Sequence, residues 1–195
     1  MTSNKLASLR IIPIFVILLL GSTISVTFAQ NPTLSKTYTN SLCGLSVNYP
    51  DNWIVEESNT KYEEGQSSLF DMAEISPDVS DGMRSTVQLE AEGMSGYRDK
   101  SFDEIVEFLE SFYDYPGTTI IQSVRTEVQG NPAHEIVYEE TLPSGDIWKK
   151  KEVYIPSENN LYVIRYDTVG TDYYDKYISI VDEMIQTVKV DGRAC

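Results

Sequence analysis

The sequence predicts an α+β domain, in which an antiparallel sheet carries helices packed on its faces. Most of the chain beyond residue 35 consists of short strand-like segments separated by glycine, proline and asparagine turns. Only two segments have the apolar period of 3.6 residues that is typical of a helix. The turns between the last four predicted strands are short enough for hairpins, so these strands are predicted to form an antiparallel meander.

Five strands are predicted in the first part of the domain. Residues 43–49 alternate between apolar and polar side chains, and Pro50 ends this strand because it cannot donate a ladder hydrogen bond. Trp53 begins the next strand as a large buried anchor. Residues 58–67 are polar and acidic and are predicted to form a loop. The five strands cover residues 36–39, 43–49, 53–55, 68–75 and 85–92.

A helix is predicted to begin at Phe102. Ser101 and Glu104 have the spacing of a capping box, in which each side chain satisfies a backbone N–H of the other residue. Pro116 and Gly117 end the helix. Its apolar residues recur at helical spacing: Phe102, Ile105, Phe108 or Leu109, and Phe112.

The second part of the domain is predicted to contain four strands and a closing helix. Residues 161–166 are apolar at almost every position, which predicts that both faces of this strand are covered. The closing helix spans residues 172–190 and has a single apolar stripe. The four strands cover residues 118–129, 133–141, 147–155 and 161–168.

Residues 1–29 have the features of a secretory signal peptide. Lys5 and Arg10 precede a ten-residue apolar run, and small residues lead to a predicted cleavage site between Ala29 and Gln30. The alternative is an uncleaved membrane anchor, although ten residues fall short of the roughly 20 that span a bilayer. The protein is therefore predicted to be secreted or extracytoplasmic. The predicted divisions are a signal peptide (1–29), a linker (30–35), one domain (36–190) and a C-terminal tail (191–195).

The charge distribution excludes several classes of function. The chain has 30 acids and 15 bases, and the first 50 residues contain no acid. Removing the leader leaves 13 bases and 30 acids, a net charge of −17. Such a chain is not expected to bind nucleic acid, which requires a cationic surface. Two cysteines and one histidine are also too few for a zinc finger or an iron–sulfur protein.

The only two cysteines are Cys43 and Cys195. In an exported protein, an even number of cysteines is interpreted first as a disulfide. The alternative is one buried cysteine and one unrelated cysteine on a loose tail. A disulfide would close a loop of about 150 residues and constrain the unfolded chain strongly.

Three segments resemble the PsbP-like family. The first is Tyr38-x-Asn40 followed by Gly44-Leu45-x-Val47-x-Tyr49-Pro50-x-x-Trp53, and the second is Gly130-x-Pro132-Ala133-x-x-Ile136-Val137-Tyr138. The third is the strand of residues 161–168 leading into a final helix that contains Met184 and Ile185. The resemblance covers residues 36–190.

The resemblance implies an α/β/α sandwich around an antiparallel sheet, in a protein exported across a membrane. Named members of the family are extrinsic subunits on the lumenal side of photosystem II, where they help to retain calcium and chloride near the manganese cluster. This sequence lacks the long basic segment that precedes the plant domain, since Lys36 is the one base between Ala29 and Pro50. A photosystem-docking role is therefore not expected.

His134 is the only histidine, so any histidine-based chemistry must use it. Its strand position shares a face with Ile136 and Tyr138, which predicts a half-buried site. A pair with Cys43 is conceivable, but neither residue lies in a recognisable nucleophile motif. The sequence also contains no nucleophile elbow, phosphate-binding loop or zinc-protease motif. No catalytic residue is predicted.

Asp78 and Asp81 are weak candidates for calcium ligands. They lie in a glycine-containing turn, but twelve-residue spacing from Asp78 reaches Leu89 instead of a glutamate. The acidic clusters elsewhere are interpreted as solvated surface. No cofactor is expected, with weakly bound calcium as the alternative.

Two further features have alternative interpretations. Lys149, Lys150 and Lys151 are expected either to block edge-to-edge pairing of a strand or to pair with nearby acids, and an anion or partner site is less favoured. Trp148 and Tyr154 share a strand face and either line a ligand groove or fill the layers beside the sheet.

These observations predict a secreted, non-enzymatic accessory or interaction protein at the outer face of a membrane. Its partner is an unidentified protein or membrane complex. The alternatives are a binding module for calcium or a small molecule and, more weakly, an enzyme of unknown class. The residues predicted to hold the fold together are Tyr49, Pro50, Trp53, Gly130, Pro132, Tyr138 and Tyr166.

Overall fold

The computed structural model describes residues 32–64, 67–77, 85–97 and 99–195. The predicted signal peptide and its cleavage site at Ala29 and Gln30 lie outside these residues, as do Asp78 and Asp81. No helix within the described ranges is long and apolar enough to cross a membrane.

The described chain is mostly β-strand, with two α-helices. In chain order, the elements are β1 (Lys36–Asn40), β2 (Leu45–Tyr49), β3 (Trp53–Glu64), β4 (Ser67–Pro77), β5 (Ser85–Gly93), α1 (Phe102–Ser111), β6 (Thr118–Val128), β7 (Asn131–Thr141), β8 (Ile147–Pro156), β9 (Asn160–Val169), α2 (Thr171–Ile185) and β10 (Lys189–Val190).

Seven of these strands form one antiparallel sheet in the order β3-β4-β5-β9-β8-β7-β6. Two hairpin meanders, β3-β4-β5 and β6-β7-β8-β9, join side by side through the pairing of β5 with β9. The predicted meander of the last four strands is confirmed. β9 lies near the middle of the sheet, which explains why its sequence is apolar on both faces.

The predicted loop at residues 58–67 is wrong for the part that the structure describes. β3 continues through this segment to Glu64, and it pairs in register with β4 on both sides of a bulge between Glu57 and Thr60. The segment is polar because β3 is an edge strand of the sheet. Ser58, Asn59 and Lys61 are exposed, so the polarity of these positions indicated solvent exposure and not the absence of a strand.

The predicted end of the closing helix is also wrong. α2 ends at Ile185, and residues 189–190 pair with β2 to complete a three-stranded sheet in the order β1-β2-β10. Val188 is 1% exposed and continues the apolar stripe of α2, which is why the sequence pattern favoured a longer helix. Pairing of Lys189 with Ser46 instead satisfies this backbone in a strand.

Both faces of the large sheet carry a core. One face packs against α2 and the three-stranded sheet, in a cluster that includes Trp53, Tyr166 and Met184. The other face packs against α1, in a smaller cluster that includes Ile105 and Tyr138. The prediction of helices on an antiparallel sheet is confirmed at this level. The α/β/α description is incomplete, because the three-stranded sheet shares a layer with α2.

The residues predicted to hold the fold together have two different roles. Pro50, Trp53, Tyr138 and Tyr166 are buried, and Tyr49 is half-buried against the larger core. The assignment of two further residues to the core is wrong. Gly130 and Pro132 are both exposed at the β6–β7 hairpin, where Gly130 has the positive φ that its two-residue turn requires.

A disulfide joins Cys43 to Cys195 across 152 residues. Cys43 is fully buried, and its carbonyl oxygen accepts a hydrogen bond of 2.6 Å from the hydroxyl of Tyr162. The C-terminal tail is therefore attached covalently to the β1–β2 connection.

Candidate functional site

Exposed apolar side chains are concentrated in one part of the described chain. Eight large apolar side chains are exposed among all the described residues, and six of the eight lie between residues 108 and 124. The other two, Leu42 and Ile147, lie elsewhere in the sequence. We call the six the α1–β6 surface; they are Phe108, Phe112, Tyr115, Ile120, Ile121 and Val124.

The amphipathic character of α1 explains part of this surface. Ile105, Val106 and Leu109 face the core, and Phe108 and Phe112 occupy a neighbouring stripe of the same helix. The rings of Phe108 and Phe112 are in contact, with centroids 4.7 Å apart. Phe112 recurs at helical spacing with Ile105, but it is not buried, since 56% of this residue is exposed.

Polar contacts fix α1 beside β6. The capping box of Ser101 and Glu104 is present and begins the helix. Arg125 of β6 forms an ion pair with Asp103, and its guanidinium lies 4.1 Å from the ring centroid of Phe102. These contacts hold the exposed rings of α1 next to the outermost strand of the sheet.

β6 is the edge strand on this side of the sheet. In the described part of the chain it pairs with β7 alone. Ser123 lies on the face toward α1, since it hydrogen-bonds to Glu110, and the alternation of a strand places Val124 on the opposite face. Ile120 pairs with Tyr138 and so lies on the face toward α1, which means that β6 has exposed apolar side chains on both faces.

Ser123, His134 and Glu110 form a hydrogen-bonded group beneath α1. The Nε2 atom of His134 lies 2.7 Å from Oγ of Ser123, which also hydrogen-bonds to Glu110. His134 is 4% exposed, so it is buried more deeply than the sequence suggested. Burial, followed by the charge of Arg125, lowers the pKa of His134 and favours the neutral ring.

The geometry of this group does not activate the serine. A neutral His134 donates from Nε2 to Ser123, and the serine hydroxyl donates its proton to Glu110, not to the histidine. The Nδ1 atom of His134 is buried without a hydrogen-bond partner, so no carboxylate orients the ring as a general base requires. The group ties α1 to β6 and β7.

Glu152 lies at the centre of a second buried polar group on the same face of the sheet. Its carboxylate accepts hydrogen bonds from the hydroxyls of Tyr113, Tyr138 and Tyr154. The Nε atom of Arg165 lies 2.9 Å from the same carboxylate. Burial alone would raise the pKa of Glu152, but Arg165 and the three hydroxyls outweigh it and hold the pKa below its usual range.

Asp167 lies beside this group in a different electrostatic environment. Its carboxylate is 3.9 Å from the ammonium of Lys150, which also lies 3.5 Å from Glu140. Burial raises the pKa of Asp167 to about 6, against the opposing effects of Lys150 and Arg165. The side chain therefore titrates near neutral pH.

The structure decides between the interpretations of the lysine run. β8 lies between β7 and β9, so the prediction that these lysines block edge pairing is wrong. They pair with acids on both faces: Lys149 with Asp175, Lys150 with Glu140 and Asp167, and Lys151 with Glu135 and Asp182. The Lys151 side chain is 8% exposed, so its charge is not presented to solvent. Glu135 and Asp182 compensate this charge.

The aromatic pair Trp148 and Tyr154 does not line an open groove, because Tyr154 is buried against Glu152. Within the described ranges, no group of three or more histidine, cysteine or acidic side chains is arranged to hold a metal. The candidate ligands Asp78 and Asp81 lie outside these ranges, so the calcium alternative stays a prediction.

Fold and surface together define an α+β sheet domain with an exposed apolar surface along one edge. The family model for PsbP-like proteins matches residues 21–190. The chain belongs to the PsbP-like family. A search of curated proteins finds no match to the sequence.

One solved structure supports the fold assignment, and a second has a lower TM-score. The solution structure of PsbP from the cyanobacterium Synechocystis sp. PCC 6803 matches with a TM-score of 0.58 at 12% identity, covering 80% of this chain and 91% of that one. A Pseudomonas aeruginosa protein of unknown function, described as a putative regulator, matches with a TM-score of 0.48 at 14% identity, covering 78% and 94%. At these identities, the similarity extends to the fold alone.

The α1–β6 surface was not predicted from the sequence. The available signal was the group of apolar residues in this region, since residues 118–128 include Ile120, Ile121 and Val124, and the two charged residues, Arg125 and Glu127, lie only in the second half of the segment. Recognising it required knowing that this strand lies at an edge of the sheet.

Proposed function

We propose that this protein is a non-enzymatic accessory domain that binds a partner protein through the α1–β6 surface, at the outer face of the membrane after export. The observation that carries the proposal is the concentration of six of the eight exposed large apolar side chains at this surface. A group of exposed apolar side chains in one part of a domain is typical of an interaction site.

The energetics of this surface favour a partner. Phe112 and Ile121 are each more than half exposed. Covering the remaining area of such a side chain stabilises a complex by about 1 kcal/mol. The capping box orders the first turn of α1, and the Arg125–Asp103 and Ser123–Glu110 contacts hold the helix against β6, so little ordering of these elements opposes association.

One feature of the sequence and one feature of the structure support the proposed location. The basic start, short apolar run and small residues before Ala29 are those of an exported protein. The Cys43–Cys195 disulfide is of the kind that persists in oxidising compartments.

Affinity capture tests the proposal. Tagged wild-type protein is expected to retain a specific protein from the membrane fraction of its own cells. The double substitution Phe108→Ser and Phe112→Ser is expected to reduce that retention at least tenfold. Leu42→Ser is the matched control, because Leu42 is 52% exposed but lies outside the α1–β6 surface.

All three proteins are first compared by thermal melting, to confirm that the substitutions leave the fold intact. Equal retention by the double variant would contradict the proposal, as would a wild-type protein that retains nothing specific.

A further inference from the structure

We propose that the partner contributes an extended segment that adds a strand to the outer edge of β6, and that this segment is apolar and basic. This inference rests on the proposed function and specifies the chemistry of the partner. The occupant is a segment of a different protein, not a second copy of this chain.

The outer edge of β6 offers free backbone groups. The two-residue turn at Gln129 and Gly130 makes Val128 and Asn131 a hydrogen-bonded pair. Because hydrogen-bonded and non-hydrogen-bonded pairs alternate along an antiparallel ladder, every second residue back along β6 directs its N–H and C=O away from β7. These residues are Ser123, Arg125 and Glu127.

This edge has little protection against strand addition. The bulge in β6 lies between Ile120 and Gln122, so the remaining residues to Val128 pair with β7 without interruption. Exposed apolar side chains flank the edge on both faces. A long, unpaired edge flanked by exposed apolar side chains is a template for another strand.

The opposite edge of the sheet is protected. β3 has a bulge between Glu57 and Thr60, and Asn59 in that bulge has a positive φ. Glu56 and Glu57 are exposed charged residues on this strand. Bulges and charges are the usual means of preventing edge pairing. The bulge of β3 lies in the middle of the strand, whereas that of β6 lies near its start and leaves residues 122–128 in regular register, so the longer regular edge favours pairing at β6.

Charge determines the kind of segment that fits. Residues 102–141, which form α1, β6 and β7, contain nine acids and one base. Arg125 pairs with Asp103, and Lys151 and Lys150 of β8 pair with Glu135 and Glu140, which leaves six acids of this region beyond these pairs. A second copy would bring the same excess of acids to the interface, and like charges oppose such contacts. A segment carrying lysine or arginine beside apolar residues matches both the acids and the exposed apolar side chains.

A synthetic peptide probes this chemistry directly. The probe is a ten-residue peptide of alternating valine and lysine, titrated into the full-length protein at physiological salt. Binding is expected to slow amide hydrogen exchange at Ser123, Arg125 and Glu127, measured by NMR. The control peptide has the same side chains and charge but carries N-methyl groups on its four central residues, and it is expected to bind at least tenfold more weakly.

Equal binding of the two peptides would overturn the proposal, because it would show charge attraction without strand pairing. No binding of the unmodified peptide, or protection confined to β3, would overturn it too. A dimer of the protein alone in light scattering would favour a second copy and contradict the proposed occupant.

A pair of variants separates this inference from the proposed function. Arg125→Pro and Arg125→Ala both remove the guanidinium, but only proline removes the outward N–H. Partner retention by the proline variant is expected to be less than one tenth of that by the alanine variant, with both checked by thermal melting. If Phe108→Ser with Phe112→Ser abolishes retention and the two Arg125 variants retain equally, the proposed function stands and strand addition fails. If the proline variant unfolds, the peptide experiment decides.

Discussion

Glu152 illustrates how a single buried charge organises one face of the sheet. It is 3% exposed, and its two oxygens accept from three tyrosine hydroxyls and from Arg165. An ionised carboxylate is stable in such a site only when its charge is compensated and its lone pairs are used. Both conditions are met here, so the group is structural.

Replacing Glu152 should be costly. Glu152→Gln removes the charge that compensates Arg165 and places amide donors against the tyrosine hydroxyls, so we expect the free energy of unfolding to fall by about 3 kcal/mol. Urea denaturation measures the change. Tyr113→Phe removes one of the three hydroxyls and should cost about 1 kcal/mol. A Glu152→Gln variant as stable as the wild type would contradict the assignment.

Asp167 should make stability depend on pH in the opposite sense to a typical ion-paired carboxylate. Its pKa is raised to about 6 in the folded state, mainly by burial, so the folded state binds a proton more tightly than the unfolded state. The stabilisation that comes from proton binding to folded Asp167 is fully present below the ordinary pKa of an aspartate, and it is lost as the pH rises through 6. Lys150, Arg165, Glu140 and Glu152 set the midpoint.

The measurement for Asp167 is the difference in unfolding free energy between wild type and Asp167→Asn. This difference should decrease by about 2 kcal/mol from pH 4 to pH 7. A carboxyl resonance of Asp167 with a midpoint near 4 in an NMR titration would contradict the expected shift.

At the scale of elements, α1 depends on its first turn. Ser101 caps the helix, accepting from the backbone N–H of Glu104 while the glutamate accepts from the backbone N–H of Ser101. Ser101→Ala should lower the free energy of unfolding by about 1 kcal/mol in urea denaturation. Ser41→Ala, in an exposed turn, is the control and should have little effect. Equal stability of the two variants would argue against the cap.

Local patterns predicted most elements, and pairing partners explain the errors. Hairpin turns and helical periodicity are short-range signals, so the meander of β6 to β9 and both helices were predicted from the sequence. β10 was missed because its two residues form a strand only by pairing with Ser46 and Leu45, which are distant in sequence. The loop predicted at residues 58–67 failed for a related reason, since a polar edge strand lacks the alternation of a half-buried one.

The α1–β6 surface could not be predicted for the same physical reason. Exposure of Ile121 and Val124 depends on where β6 lies in the sheet, and sheet order is a long-range property. The ion pairs of Lys150 and Lys151 likewise depend on which strands flank β8. The basic side chains were visible in the sequence, but their partners were not.

At the scale of the whole molecule, the disulfide joins the two ends of the described domain. Cys43 and Cys195 are 152 residues apart, and closing so long a loop lowers the conformational entropy of the unfolded chain more than closing a short loop would. Replacing both cysteines with serine should lower the free energy of unfolding by about 3 to 5 kcal/mol. Denaturant titration of the oxidised wild type and the double variant tests this, and an unchanged midpoint would contradict it.

The account as a whole depends on partner binding at the α1–β6 surface. Site-specific photo-crosslinking in the native cells tests it most directly, with a benzophenone amino acid placed at Phe112 in one strain and at Leu42 in another. These positions are 56% and 52% exposed, so random collisions label them alike. We predict one discrete crosslinked protein at position 112 and none at position 42. Identical crosslinks at both positions, or none at position 112, would contradict the account.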